Sequence, residues 1–385
     1  MLRKLFLYII LGFLIFILLK LLLSLNKEDR PLVQVEKENQ KIFEEKIFSD
    51  YFKEIKKTEK ILTSMDLMLL LRLYKRTGNK DSLALAEEKV KLENKGDLAL
   101  RALVLLEIFQ LTQKKIYREK STFLLKKFSL PIFQEETLYK RSLKAVVLAK
   151  AYQVLGDKFY LEKSQKKVAE LISQVYSMKE YSAMIWALIE LYQSDFNYKW
   201  YHLAKELQEK QIEIFWSEKT LGFGIKKSEA LFDLKEPSSF SLTLLNLLRL
   251  GSLSYNKSYN QKVFSSFKNV ASLVKKTPVK FPFLLQGVDY FLDNNKEIAI
   301  IGKLESKEVQ HMKTLLQQPF NPNKVISCGL YHEQKNPLPL LRHKPLIQGK
   351  NGGAYVCEKK ICKLPTLNYK EASSMSLLSK RYQLH

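Results

Sequence analysis

Leu143-Lys-Ala-Val-Val-Leu-Ala-Lys-Ala-Tyr-Gln-Val-Leu155 runs into Gly156-Asp157 and is followed by a charged stretch from Tyr160 to Val175. The first run is apolar on nearly every side of a 3.6-residue period, so it reads as a helix buried all round. The second keeps its charges to one face, so it reads as an amphipathic partner with one side in solvent. Gly156-Asp157 is the break between them.

Working outward, the same alternation recurs. Met65–Tyr74 ends near Gly78 and is followed by Ser82–Leu92. Leu98–Leu111 pairs with Ile116–Phe128, Tyr181–Tyr192 with Trp200–Phe215, and Leu242–Leu250, ending at Gly251, with Tyr259–Val274. Stacked helical repeats would give such a pattern. The Trp, Gly, Tyr, Ala and Pro offsets of tetratricopeptide repeats are not kept from pair to pair. A closed two-layer α/α toroid, whose inner helices are covered on every side, predicts the alternation more directly. After Pro282 the texture changes: Glu297–Gly302, Lys324–Cys328 and Tyr355–Cys357 read as short strands around a helix at Lys307–Gln317. The expected fold is therefore mainly α, an (α/α)6 toroid of helical hairpins over 58–293 with a small C-terminal α/β cap over 294–369. Residues 370–385 form a tail or helix.

The chain has 385 residues with only 13 glycines and 11 prolines, which favours helix throughout. Leu5–Leu25 is apolar except for Lys20 and Ser24, long enough to cross a bilayer, and lacks a small-x-small cleavage site. It predicts one transmembrane helix within 1–25, followed by a charged stalk over 26–57. The N-terminus is expected in the cytoplasm and the bulk of the chain outside, as a single-pass membrane protein held by lipid. The net charge of +24 draws the chain toward polyanions: nucleic acid, anionic lipid or acidic glycans. The lysines are scattered pairs such as Lys56-Lys57 and Lys275-Lys276, which solvated helix faces also explain, so a nucleic-acid partner is not expected.

Several runs, in order, resemble one family. They are Leu148-Ala-Lys-Ala-Tyr-Gln-Val-Leu-Gly-Asp157, Glu180-Tyr181 with Ala187-Leu-Ile-Glu-Leu-Tyr192, and Ala204-Lys-Glu-Leu-Gln208 with Phe215-Trp216 and Gly222-Phe-Gly224. Pro237-Ser238 with Leu245-Asn-Leu-Leu-Arg-Leu250 follows, then Glu297–Gly302, Pro322-Asn-Lys-Val325, and Ala354-Tyr-Val-Cys357 with Cys362. Over about residues 136–369 the chain resembles the C-terminal part of the thioredoxin-domain-containing, spermatogenesis-associated family, whose body is an N-acylglucosamine-2-epimerase-like six-hairpin toroid. The family begins with a thioredoxin-like domain; none is expected here, where the predicted membrane anchor stands in that place and no cysteine precedes Cys328. The family's Ser-Trp-Asn reads Tyr139-Lys140-Arg141 here, its Asp-Tyr-Ala reads Glu180-Tyr181-Ser182, and its Pro-Ser-Gly-Asn reads Pro237-Ser238-Ser239-Phe240. Packing positions are kept while polar cavity positions have drifted, which the resemblance reads as lost or changed chemistry.

Sugar chemistry in such a toroid needs an acid, a base and aromatic platforms. The candidate catalytic carboxylates are Asp233 and Glu180, with Glu229 behind them. Tyr181, Trp216, Phe223 and Ser238 are the candidate substrate-binding residues. The plainer reading makes Glu180 and Glu229 helix-end or surface carboxylates and Trp216 a core residue. Epimerase chemistry needs cavity histidines, and none of His202, His311, His332, His343 and His385 sits on an apolar helix. Cys357 and Cys362 suit a small hairpin disulfide outside the cytosol. Zinc would need a second Cys/His pair at ligand spacing, and none exists, so no metal is expected. With no Gly-rich phosphate loop and no nucleophile elbow, no cofactor is expected either.

The expected function is a membrane-anchored binding or scaffolding protein at the cell envelope, a catalytically degenerate relative of sugar-active six-hairpin proteins. Its partner would be an anionic glycan or an envelope protein. The alternative is a glycosidase-like enzyme working through the toroid cavity. A third reading is a binder of polyanions or lipid surfaces.

Overall fold

The computed structural model describes residues 42–58, 61–91, 96–129, 136–224, 231–330, 338–347 and 350–377, with 381 and 384. The chain divides into 1–44 and 45–385, and every element below belongs to the second unit.

The helical part starts with α1 (Lys46–Lys57), α2 (Ser64–Thr77), α3 (Lys80–Lys89), α4 (Leu98–Thr112), α5 (Lys115–Ser129) and α6 (Leu138–Leu155). It continues with α7 (Lys158–Leu171), α8 (Met178–Asp195), α9 (Tyr198–Phe215), α10 (Ser239–Ser254), α11 (Lys257–Lys276) and α12 (Pro282–Leu292). Local chemistry sets the ends. Thr63 with Asp66, and Ser177 with Glu180, form reciprocal capping boxes. Asn79, Asp97, Asp157, Asn197 and Asn256 each accept a backbone N–H at the next helix start. Gly156 closes α6 at φ 78°, a left-handed conformation that costs glycine nothing.

The even-numbered helices pack on one another in chain order, and α12 returns to pack on α2. Each of α2, α4, α6, α8 and α10 also carries the helix that follows it on its outer side, and α1 packs on the turn 278–280 beside the start of α12. The apolar-amphipathic alternation is the cause. In α8 every residue from Glu180 to Ser194 is buried, and in α10 every residue from Phe240 to Leu253. The outer helix α9 buries only Trp200, Tyr201, Ala204, Leu207, Gln208 and Gln211, one stripe at helical spacing. A Leu148→Ala change in an inner helix, where Leu148 is fully buried, would cost about 2–5 kcal/mol through lost transfer energy and a cavity.

The C-terminal part comprises β3 (Lys296–Gly302), α13 (Lys307–Gln317), β4 (Lys324–Gly329), β5 (Gly352–Glu358), β6 (Ile361–Cys362) and α14 (Tyr369–Leu377), after a small hairpin of β1 (Trp216–Ser217) and β2 (Gly222–Phe223). The four-stranded sheet has the order β4-β3-β5-β6. β3 runs parallel to β4, with Glu297 opposite Val325, and antiparallel to β5, with Glu297 opposite Cys357. All seven residues of β3 are buried, as expected of a strand covered on both faces. At Gly302, φ is 155° and a Cβ would stand 2.5 Å from the Asn351 carbonyl oxygen, so only glycine fits there.

One expectation needs correction. Among the described residues no helix is long and apolar enough to cross a membrane, and the run expected to do so, 5–25, lies outside them. The single-pass membrane placement, with its lipid contact and sidedness, is therefore withdrawn. At the end of the segment expected as a stalk, 46–57 is helix α1, with Phe48, Tyr51 and Ile55 buried on its apolar face.

Candidate functional site: the axis of the helical ring

Five inner helices each set a charge one turn beyond an apolar residue. The pairs are Met68 and Arg72 on α2, Leu103 and Glu107 on α4, and Val146 and Lys150 on α6. Trp186 and Glu190 on α8, and Leu245 and Arg249 on α10, follow the same spacing. Side chains four apart share a helix face, so all ten line one axial cavity together with Phe283 and Gln286 of α12. The apolar members make a layer in which the Trp186 and Phe283 rings lie 5.6 Å apart. The charged members alternate in sign around the ring from Arg72 to Arg249, and Asp289 on α12 supplies the sixth position, 3.6 Å from Arg72. The cavity holds about 60 Å³, room for a few waters at most.

Glu190 is the best satisfied of these groups. Arg249 Nη2 lies 2.7 Å from its Oε1, and Trp186 Nε1 and Gln153 Nε2 donate to it at 3.2 and 3.1 Å. Burial pushes its carboxyl up, but Arg249 and Lys150 with the Arg249 and Gln153 hydrogen bonds outweigh this and lower it to about 2. Glu107 differs. It is half-buried on the cavity wall, and burial raises its carboxyl to about 7 against the pull of Arg72 and Lys150. The two carboxylates on one axis therefore diverge.

The ring closes through charge. Arg76 donates from Nε to Asp289 Oδ1 at 2.8 Å and from Nη1 to Asp293 Oδ1. Asn323 Nδ2 bridges Asp289 Oδ2 and Asp293 Oδ2 at 2.7 and 2.9 Å, and Asn323 Oδ1 accepts from Arg72 Nη1 at 2.6 Å. All five side chains are buried. They tie α2 to α12 and both to the segment that leads into β4. The C-terminal part covers this end of the axis elsewhere too. Gln110 Nε2 donates to the Gln318 carbonyl at 2.7 Å, Ile326 N–H to Gln193 Oε1 at 2.9 Å, and Lys313 Nζ to Tyr152 Oη at 3.1 Å. Lys324, another cavity-lining group, is pushed well below its ordinary pKa by burial and by Lys150 and Lys75. Its Nζ donates to the carbonyls of Leu316, in the last turn of α13, and Pro319.

The residues singled out from sequence stand elsewhere. Glu180 Oε2 accepts the N–H of Ser177 at 3.0 Å, as the far member of the α8 capping box. Asp233 is buried, and its Oδ2 accepts the N–H of Phe283 and Leu284, both at 2.9 Å, while Oδ1 accepts the N–H of Ser238 at 2.8 Å. It caps α12, whose own N-cap Phe281 has no acceptor, and burial raises its carboxyl to about 6 against those hydrogen bonds. Ser238 is the α10 N-cap and bonds Ser241. Tyr181 packs edge-on against Phe215, and Trp216 against Phe223, with Lys262 over the Trp216 ring. None of these six lines the axial cavity. Glu229 lies outside the described residues. Cys357 and Cys362 are joined as a disulfide across β5 and β6, and Cys328 is buried and free. Among the described residues no group of three His, Cys, Asp or Glu converges as metal ligands would.

The axial charges were present in the sequence as single ionisable residues inside apolar runs, such as Glu107 in Leu103-Val-Leu-Leu-Glu-Ile108 and Glu190 in Ala187-Leu-Ile-Glu-Leu191. The sequence reading passed over them; an apolar residue followed four positions later by a charge, repeated from one apolar run to the next, is the signal that could have found the axis.

No family model matches the chain. Human spermatogenesis-associated protein 20 is 25% identical over 201 residues, 49% of this chain and 25% of that protein. The uncharacterized protein B0495.5 of Caenorhabditis elegans is 21% identical over 261 residues, 59% of this chain and 36% of that one. Among solved structures, the Lin0763 protein from Listeria innocua superposes at a TM-score of 0.44 with 16% identity, covering 54% of this chain and 73% of that one. The chain spans about a quarter of the length of the human relative, and along 49% of its own length it is similar to spermatogenesis-associated protein 20.

Proposed function

We propose that the chain is a binding or scaffolding protein built on an (α/α)6 toroid whose axis no longer serves catalysis, a distant relative of the spermatogenesis-associated family. The observation that carries this reading is the axial cavity, about 60 Å³ and ringed by alternating charges. Small-molecule sites usually offer about 300–1,000 Å³. A sugar ring would have to displace Trp186 or Phe283 and break the Arg249–Glu190 pair, and truncating a buried pair costs several kcal/mol. The polar groups at the centre thus serve one another. Glu180 and Asp233 act as caps that hold helix starts in register.

The glycan-active alternative keeps one observation in its favour. Glu107 and Glu190 are pushed apart to about 7 and about 2, as an acid and its partner carboxylate are in enzymes that use such pairs. The test is to incubate the full chain with a panel of neutral and anionic oligosaccharides and follow hydrolysis, with Glu107→Gln and Glu190→Gln beside it. No turnover is expected. Turnover abolished by Glu107→Gln would overturn the scaffold reading and establish the enzyme.

A further inference from the structure

A second concavity, about 690 Å³, lies where the end of α10 meets the C-terminal sheet. Its walls carry Arg342, Lys344, Lys360 and Lys363, with the rings of Tyr255 and Tyr355 between them, and among its described lining residues none is acidic. Arg342, Lys360 and Lys363 are exposed, while Lys344 is buried at 6%. Glu297 on β3, 6% exposed, accepts the Lys360 N–H at 3.1 Å. Four cations against one carboxylate leave the cleft strongly positive.

The backbone is strained at this place. His343, Lys359 and Lys360 have φ of 56°, 49° and 68°. The two lysines form the two-residue turn of the β5–β6 hairpin, where Glu358 pairs with Ile361. Such a turn needs left-handed residues at both positions and favours Asn and Gly. A side chain with Cβ costs about 1–2 kcal/mol there. The Cys357–Cys362 bond and the Glu297 contact hold the turn in place. Strain of this kind persists where the surroundings over-determine it, and it clusters at ligand sites.

We propose that this cleft binds a diphosphate-bearing small molecule. An Arg fork and several Lys point charges on one concave wall suit phosphoryl oxygens. The volume is that of a small-molecule site. The cations are gathered in a cleft rather than along a stripe, which disfavours an extended nucleic acid. Lys360 Nζ lies over the Tyr255 ring, 5.1 Å from its centroid, so the half-buried Tyr355 is the ring offered to the group that carries the phosphates. The cleft is separate from the axial cavity, so this assignment stands whether or not the axis is inert.

The test is calorimetric titration of the full chain with pyrophosphate at about 0.15 M salt, where exposed charges are well screened. Arg342→Ala combined with Lys360→Ala is compared with Lys275→Ala combined with Lys276→Ala, which removes the same charge from an exposed site on α11. Circular dichroism checks that each variant folds. Pyrophosphate is expected to bind, the cleft variant to weaken it about tenfold or more, and the α11 variant to leave it within about twofold. No binding by the unaltered chain, or equal loss in both variants, overturns the assignment. Vesicles of phosphatidylcholine with and without a bisphosphorylated phosphoinositide distinguish a lipid headgroup from a free anion. Either vesicle result supports phosphoryl recognition once pyrophosphate binds.

Discussion

Replacing Glu107 with glutamine is expected to stabilise the protein at alkaline pH and to change little at acid pH. Burial raises the Glu107 carboxyl from an ordinary 4.5 to about 7. The folded state therefore holds a proton that the unfolded state has released between those two values. Stability from this group is fully present below about 4.5 and is lost as pH rises through about 7. One pKa unit is worth about 1.4 kcal/mol, so ionising Glu107 in the folded protein costs about 3 kcal/mol. Glutamine keeps the shape and a neutral head, so the variant should escape that cost. The assay is urea unfolding of the full chain and of Glu107→Gln at a series of pH values from about 4.5 to 8.5, with the midpoint converted through a shared slope. The difference should grow across the neutral range to a few kcal/mol in favour of the variant. Parallel stability curves would falsify the claim that Glu107 is desolvated at the ring axis. A variant less stable at alkaline pH would mean that the charge of Glu107 is needed to hold Arg72 and Lys150.

Other outcomes follow from the same contacts. Arg76→Ala removes the guanidinium that Asp289 and Asp293 share, leaving Asp289 with Arg72 at 3.6 Å, and should cost about 3–5 kcal/mol in chemical denaturation; a loss under about 1 kcal/mol would show that water reaches the network. Asp233→Ala strips the acceptor from three backbone N–H groups and should cost about 2 kcal/mol or more, whereas Asp233→Asn should recover part of it, with thermal unfolding as the readout. Cys357 and Cys362 should resist alkylation until reductant is added, and reduction should cost on the order of 2 kcal/mol; equal labelling without reductant would count against the disulfide.

The helical body was legible because its alternation is strong. An all-apolar run has no solvent face, so it must be inside, and each such run is an inner helix in the structure. The strands at 297–302 and 324–328 were legible as short apolar runs between turn signals, and both appear within one residue of their expected starts. The C-terminal hairpin was visible as two cysteines flanking Glu358-Lys-Lys-Ile361. Asp233 and Glu180 were singled out by their place in family-like runs. A carboxylate beside a helix start serves capping and catalysis with the same atoms, and only the positions of the surrounding N–H groups tell the two apart.

By itself, the sequence determined local character: which segments are helices, that Gly78 and Gly156 end two of them, which sides are apolar, and that the chain is strongly basic; Gly251, expected to end a helix, lies inside α10, which runs on to Ser254. These are properties of neighbours within a few residues, set by side-chain entropy, hydrogen-bonding capacity and hydrophobic period. Tertiary structure alone decided what the charges are for. Arg76 and Asp289 are 213 residues apart, yet share a hydrogen bond at 2.8 Å. Arg72, Glu107, Lys150, Glu190 and Arg249 read singly as charges tolerated in apolar helices, and the closed ring makes them one alternating set. The cleft likewise exists only where Arg342 and Lys360 are brought to one wall. The reason is the range of the forces. Burial and propensity act on each segment separately. The worth of a charge depends on which partner and how little water the folded chain places beside it.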